Sequence, residues 1–151
     1  MTDIQQTVRE ANMREVASRY ADYFAHLTPE TIDDALPLVS DDIHFIDPFN
    51  DVRGRESFRR VIEKMFEDVK DPHFDILDLA WSGDLCLMRW DFSCSMAHIG
   101  DWSVRGVTEL QFDDEGRISA HFDYWDASRH FYAKLPLIGS AIRWIQKKAR
   151  I

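Results

Sequence analysis

WSVRGVTELQFDDEGRISAHFDYWD, residues 102–126, reads as two β-strands joined by a turn. Its first half has a period of two: Trp102, Val104, Gly106, Thr108, Leu110 and Phe112 share one face, and Ser103, Arg105, Glu109 and Gln111 take the other. Asp113-Asp114-Glu115-Gly116 is dense in turn formers, and a further strand is predicted over about 117–126. The same period runs upstream. Strands are predicted at about 73–81 and 85–95, with Ser82-Gly83-Asp84 between them and a looser turn, Ala97 to Asp101, after them. Four successive strands with short connections make an antiparallel meander.

Before residue 73 the period is helical. Val16, Tyr20, Tyr23, Phe24 and Leu27 place a first helix ending near Leu27. Thr28-Pro29-Glu30 gives an N-cap, a proline at the first helical position and an early acid, so a short second helix holding Ile32, Ala35 and Leu36 follows. Pro37 weakens or ends it. Ile43 to Asp47 alternates as a short strand closed by Pro48, and residues 49–54 read as a loop. Phe58, Ile62, Met65, Phe66 and Val69 mark a third amphipathic helix. Helices first and a meander after them predict an α+β fold with the helices on one sheet face.

The chain has 151 residues, enough for one domain with a sizeable core. Hydrophobic content of 45% argues against disorder. No apolar run has the length of a membrane span, about 20 residues, and the N-terminus has no secretory signal, so a cytoplasmic location is expected. The net charge of −9 argues against nucleic-acid binding. Cys86 and Cys94 fall eight positions apart in one predicted strand, about 26 Å at about 3.3 Å per residue, so they are expected as buried free thiols. No pair of side chains has metal-ligand spacing and there is no glycine-rich phosphate cradle; neither a metal nor a cofactor is expected.

The charge is uneven. No acid follows Asp126, and the last 25 residues carry +6 against −15 on the first 126. A final helix is expected at about 136–149, with Ile138, Ala141, Ile142, Ile145 and Ala149 on one face and Arg143, Lys147, Lys148 and Arg150 around the rest. Three roles compete for this basic extension, residues 128–151. It can fold over the body as a lid, dock on a dimer partner or acidic protein, or lie on an anionic membrane surface.

Asp47 is the first candidate for chemistry. It follows Ile43 and Phe45 on one strand face toward the core, where desolvation raises a carboxyl pKa toward general-base range. The alternative is that Asp47, next to Pro48, caps the turn by accepting backbone N–H bonds.

The order of helix, helix, strand ending Phe45-Ile46-Asp47-Pro48, loop with Gly54, helix, and meander carrying Phe112 to Ile118 and Tyr124-Trp125 resembles the nuclear-transport-factor-2-like (NTF2-like) superfamily. The likeness spans about residues 12–127 and is strongest to the SnoaL-like polyketide cyclases and ketosteroid isomerases. It implies one domain over 1–151: a cone in which a curved antiparallel sheet wraps the N-terminal helices around a small-molecule pocket, with an extra C-terminal amphipathic helix. It also implies a homodimer and a small apolar ligand.

By that resemblance Asp47 falls on the base that moves a proton next to a carbonyl, and Tyr20, or else Tyr23, on the oxyanion donor. Thr108 stands where the isomerases carry a second, acidic donor, which is a departure from their pattern. His121-Phe122-Asp123 resembles the His-x-Asp of the cyclases, making Asp123 an acid/base candidate and His121 its partner. Trp125 matches a pocket tryptophan, and Tyr23, Phe66, Met88, Trp90, Phe92 and Thr108 are expected to line the hollow. Periodicity opposes one part of this. Ile118, Ala120, Phe122 and Tyr124 form the apolar face of their strand, which turns His121 and Asp123 outward unless the concave wall is polar or a bulge lies near Ser119. Two functions are therefore expected in competition: a cofactor-free isomerase, cyclase or dehydratase, and a non-catalytic binding or interaction module in the same fold.

Overall fold

The computed structural model describes residues 2–150. Helix α1 spans Asp3–Ala25 and opens on a capping box between Thr2 and Gln5. Only its second half meets the core, through Met13, Val16, Ala17, Tyr20, Ala21 and Phe24. Pro29–Leu38 is a 3-10 helix rather than an α-helix. Pro37, inside it, has no N–H to give and crowds the preceding turn. Helix α2, Arg55–Asp68, buries Phe58 and Ile62.

Six strands form one curved, open, mixed sheet: β1 (Val39–Ile46), β2 (Asp51–Arg53), β3 (Lys70–Ser82), β4 (Leu85–Met96), β5 (Gly100–Phe112) and β6 (Ile118–Tyr124). Their spatial order is β2-β1-β6-β5-β4-β3. β3 to β6 is the expected meander. Two features depart from expectation. The segment predicted as loop 49–54 contains β2, which closes a small hairpin onto β1 through Phe45 and Val52. β1 also lies beside β6 in parallel, with Phe45 opposite His121, so the sheet is not wholly antiparallel.

The core lies between the concave sheet face and α1, α2 and the 3-10 helix. Its fully covered members include Tyr20, Phe58, Ile43, Met88, Leu110 and Ile118. Inward positions of β4 and β5 pair across the ladder, Trp90 with Gly106 and Met88 with Thr108. At Gly106 a side chain is excluded: an added Cβ would fall inside the indole of Trp90. Cys86 and Cys94 are free, buried thiols on this face. The convex face is charged, with ion pairs Arg105–Asp91 and Arg89–Asp78 across neighbouring strands.

Past β6 the chain makes a short helix, α3 (Ala127–His130), a 3-10 turn at Tyr132–Lys134 and helix α4 (Ile138–Ala149). Of the three roles open to the terminal helix, a lid over the body is not the one seen. Among the elements of the fold α4 packs on the 3-10 turn before it, and Gly139 is its one buried residue. Ile138, Trp144 and Ile145 are 57%, 58% and 59% exposed, and Leu137, just before the helix, is 88% exposed. Among the described residues no helix is long and apolar enough to cross a membrane.

Candidate active site

Between α2, β1 and the concave sheet is a cavity of about 410 Å³. Its wall is mostly aromatic and aliphatic, and the polar groups that reach it are few: Asp47, Asn50, Thr108, His121 and Asp123, with Lys64 and Asp68 on α2.

Three of these are brought together by one irregularity in β6. Residues pair as Thr108 with Asp123, Leu110 with His121 and Gln111 with Ala120, but Phe112 is opposite Ile118, leaving Ser119 as an extra residue. That bulge reverses the phase of the strand. Ile118 points inward before it; His121 and Asp123 point inward after it. Phe122 and Tyr124 are left on the convex side, with Tyr124 57% exposed.

A continuous set of hydrogen bonds follows. The Trp90 indole N–H donates to Thr108 Oγ1 at 2.8 Å, and the Thr108 hydroxyl donates to Asp123 Oδ1 at 2.5 Å. His121 Nε2 lies 2.9 Å from the same oxygen. On the far side of the ring, Tyr20 Oη lies 2.8 Å from His121 Nδ1. Burial pushes the Tyr20 hydroxyl well above its ordinary range, with the charges of Tyr23 and Asp123 adding to the effect, so it stays protonated. A neutral imidazole satisfies both contacts with its proton on Nε2, directed at Asp123, and Nδ1 accepting from the Tyr20 hydroxyl. Oδ1 of Asp123 takes both donors. Its Oδ2 accepts no hydrogen bond from the described residues.

Asp47 occupies the turn and the cavity at once. Its Oδ1 accepts the backbone N–H groups of Phe49 and Asn50, both at 2.7 Å, and the Asn50 side-chain amide at 3.0 Å. The same amide reaches Oδ2 at 3.1 Å. Capping and cavity lining are thus not alternatives. Burial raises the Asp47 carboxyl above its usual value, the hydrogen bonds from Phe49 and Asn50 oppose that, and the charge of Asp123 adds to the rise.

Several expected site residues lie elsewhere. Tyr20 does not reach the cavity wall; it stands behind His121, with its hydroxyl engaged there, and cannot be an oxyanion donor in this arrangement. Tyr23 is also off the wall, because its hydroxyl donates to the Ile32 carbonyl and ties α1 to the 3-10 helix. Phe66 packs at the core margin, and its helix neighbours Ile62, Met65 and Val69 line the cavity instead. Thr108 lines it, but its hydroxyl is committed to Asp123. Met88, Trp90 and Phe92 on β4, and Trp125 just past β6, are on the wall.

Sequence reasoning missed Phe49 and Phe131, which meet edge to face at 5.2 Å and close one side of the hollow with Trp125. Both lie outside periodic elements, so no pattern marked them. Trp102 was legible from the alternation of β5 and was overlooked as a lining residue; its N–H donates to the His130 carbonyl at 2.5 Å. His44 is paired with Asp51 at 2.7 Å, away from the cavity, and His98 is exposed in a turn. Among the described residues no cluster of His, Cys, Asp or Glu has the geometry to hold a metal ion.

Comparison with solved structures returns the same architecture. An NTF2-like protein of unknown function from Exiguobacterium sp. 255-15 is 20% identical, with a TM-score of 0.64 over 74% of this chain and 98% of its own. A protein with a ketosteroid isomerase-like fold from Catenulispora acidiphila, solved in complex with trimethylamine, is 18% identical, with a TM-score of 0.65 over 80% and 91%. An LEH-like epoxide hydrolase from M. tuberculosis is 17% identical, with a TM-score of 0.64 over 90% and 97%. At such identities these likenesses bear on fold alone. No curated protein matches the chain. The sequence itself goes further: residues 20–121, from the tyrosine on α1 to the histidine it holds, match the SnoaL-like domain, and the chain belongs to that family.

Proposed function

We propose that the cavity binds a small, largely apolar molecule and that Asp123 moves a proton on it, without a cofactor, as an isomerase, cyclase or dehydratase does beside a carbonyl. The observation that carries this reading is the asymmetry of the Asp123 carboxylate. One oxygen is fixed by Thr108 and His121, and the other accepts no hydrogen bond from the described residues, on a side chain that lines an aromatic and aliphatic wall. A base aimed by fixed donors into an apolar hollow is arranged for proton abstraction. His121, oriented by Tyr20, holds the carboxylate in place by donating from Nε2 to Oδ1. Asp47, whose oxygens are engaged by the 47–50 turn, is the secondary carboxylate rather than the principal base.

Hydrogen–deuterium exchange tests it. A panel of small cyclic ketones and β-diketones in D2O should exchange α-hydrogens in the presence of the protein, and Asp123→Asn should slow that exchange by about 100-fold or more. Equal exchange by the two proteins would leave the competing function, a non-catalytic ligand-binding module, as the better description.

A second reading concerns α4. Its apolar side faces away from the body, flanked by Lys147, Lys148 and Arg150, and Lys148 lies over the Trp144 ring at 4.0 Å. Leu137, just before the helix, is exposed as well and holds a φ of 65°, a backbone conformation costly for a leucine. The fit of α4 is to an anionic lipid surface, where the rings and aliphatic groups enter the interface and the cations meet headgroups. Phosphatidylserine vesicles should sediment the full chain and not a chain ending at residue 136; equal sedimentation of both removes this role. The homodimer is tested by sedimentation velocity, where a monomer across the micromolar range would exclude it.

A further inference from the structure

The hydrogen-bonding inventory of the cavity is lopsided. The indole N–H of Trp90 is engaged by Thr108, the hydroxyl of Thr108 by Asp123, and the indole N–H of Trp102 by the His130 carbonyl. The Nε2 proton of His121 faces Asp123, and the Asn50 amide faces Asp47. The donors that face the wall are thus largely engaged inside the protein, whereas among the described residues Asp123 Oδ2 accepts no hydrogen bond and Asp47 Oδ2 accepts one. A wall of engaged donors and open acceptors is complementary to a ligand that donates.

Charge points the same way. Two carboxylates, Asp47 and Asp123, share the cavity, and the lining's one lysine, Lys64, is paired with Asp68 at 2.8 Å. The charge of Asp123 raises the cost of charging Asp47. Much of the remaining wall is aromatic, with Phe49, Trp90, Phe92, Trp102, Trp125 and Phe131 all contributing beside aliphatic and thioether groups. Aromatic faces attract cations, and tryptophan does so most strongly.

We propose that the cavity's ligand is a protonated amine, a secondary or tertiary alkylammonium whose N–H donates to Asp123 Oδ2 and whose apolar arms lie against the tryptophan and phenylalanine rings. The proposal rests on the reading of this hollow as a small-molecule site and names its ligand class. The volume of about 410 Å³ suits an amine bearing one ring or a short branched chain.

The test compares benzyldimethylamine, protonated at neutral pH, with isobutylbenzene, its neutral carbon isostere, by quenching of tryptophan fluorescence in the full chain. The amine should bind at least about tenfold more tightly. In Asp123→Asn, where the amide oxygen still accepts from Thr108, the amine should lose about tenfold and isobutylbenzene should stay within about twofold. Isobutylbenzene binding as tightly as the amine to the unaltered protein overturns the ammonium assignment and leaves the small-molecule cavity standing. Saturable binding of neither probe overturns both. The comparison on the unaltered protein decides the matter even where the variant folds poorly.

Discussion

At the scale of single residues, the site depends on atoms that never touch a ligand. Tyr20 Oη reaches His121 Nδ1, and through the ring it decides which nitrogen carries the proton facing Asp123. Tyr20→Phe leaves a buried ring nitrogen without a donor, so a loss of about 1–2 kcal/mol in urea unfolding is expected, together with a mixed imidazole tautomer by 15N NMR. Unchanged stability with an unchanged tautomer would remove Tyr20 from this role. Asp47 gives a pH prediction. Its carboxyl is raised in the folded protein above the ordinary value of 3.8, chiefly by burial. The stability tied to its protonated form is therefore complete below that value and is lost as pH climbs through the raised folded pKa. Asp47→Asn does not titrate and can still accept the Phe49 and Asn50 N–H groups. The variant should gain on the wild type in urea midpoints as pH rises above 3.8, and a constant difference from there to neutrality would contradict the assignment.

At the scale of elements, strand β5 and strand β6 show what a sequence reveals and where it stops. β5 keeps strict alternation, so its inward face, Trp102 to Leu110, could be read without a structure. β6 looked equally regular, yet the extra residue at Ser119 reverses it halfway, and no residue type at that position announces a bulge. The resemblance to the cyclases put His121 and Asp123 at a site while the periodicity put them outside; the bulge is the physical reason the two disagreed. Spacing likewise could not choose between Tyr20 and Tyr23, which are three apart on one helix and differ only in the partners their hydroxyls find. Gly106 was legible as an inward position but not as a necessity. Gly106→Ala forces the Trp90 indole to move, so we expect a loss of about 1–3 kcal/mol and a changed near-ultraviolet circular dichroism spectrum as the Trp90–Thr108 bond breaks.

At the scale of the whole molecule, helix order, meander and single-domain size could be read from local pattern, whereas the parallel pairing of β1 with β6 joins segments some 75 positions apart and leaves no local mark. The tail divides into two parts. Residues 127–134 bring Phe131 to the cavity, while α4 rests on the preceding turn. Truncation at residue 136 should therefore shift the thermal midpoint by no more than about 2 °C, and a larger drop would mean that α4 supports the body.

The strand order has a consequence for how this protein is made. β6 leaves the ribosome last among the six strands yet takes a place between β1 and β5. Until residue 124 has emerged, both of those strands present bare edges, and the nascent chain is most open to misassociation at that stage. His121 and Asp123 travel on that closing strand. The chemistry of the hollow and the sealing of the sheet are thus a single event in biosynthesis, and no shorter nascent chain carries one without the other.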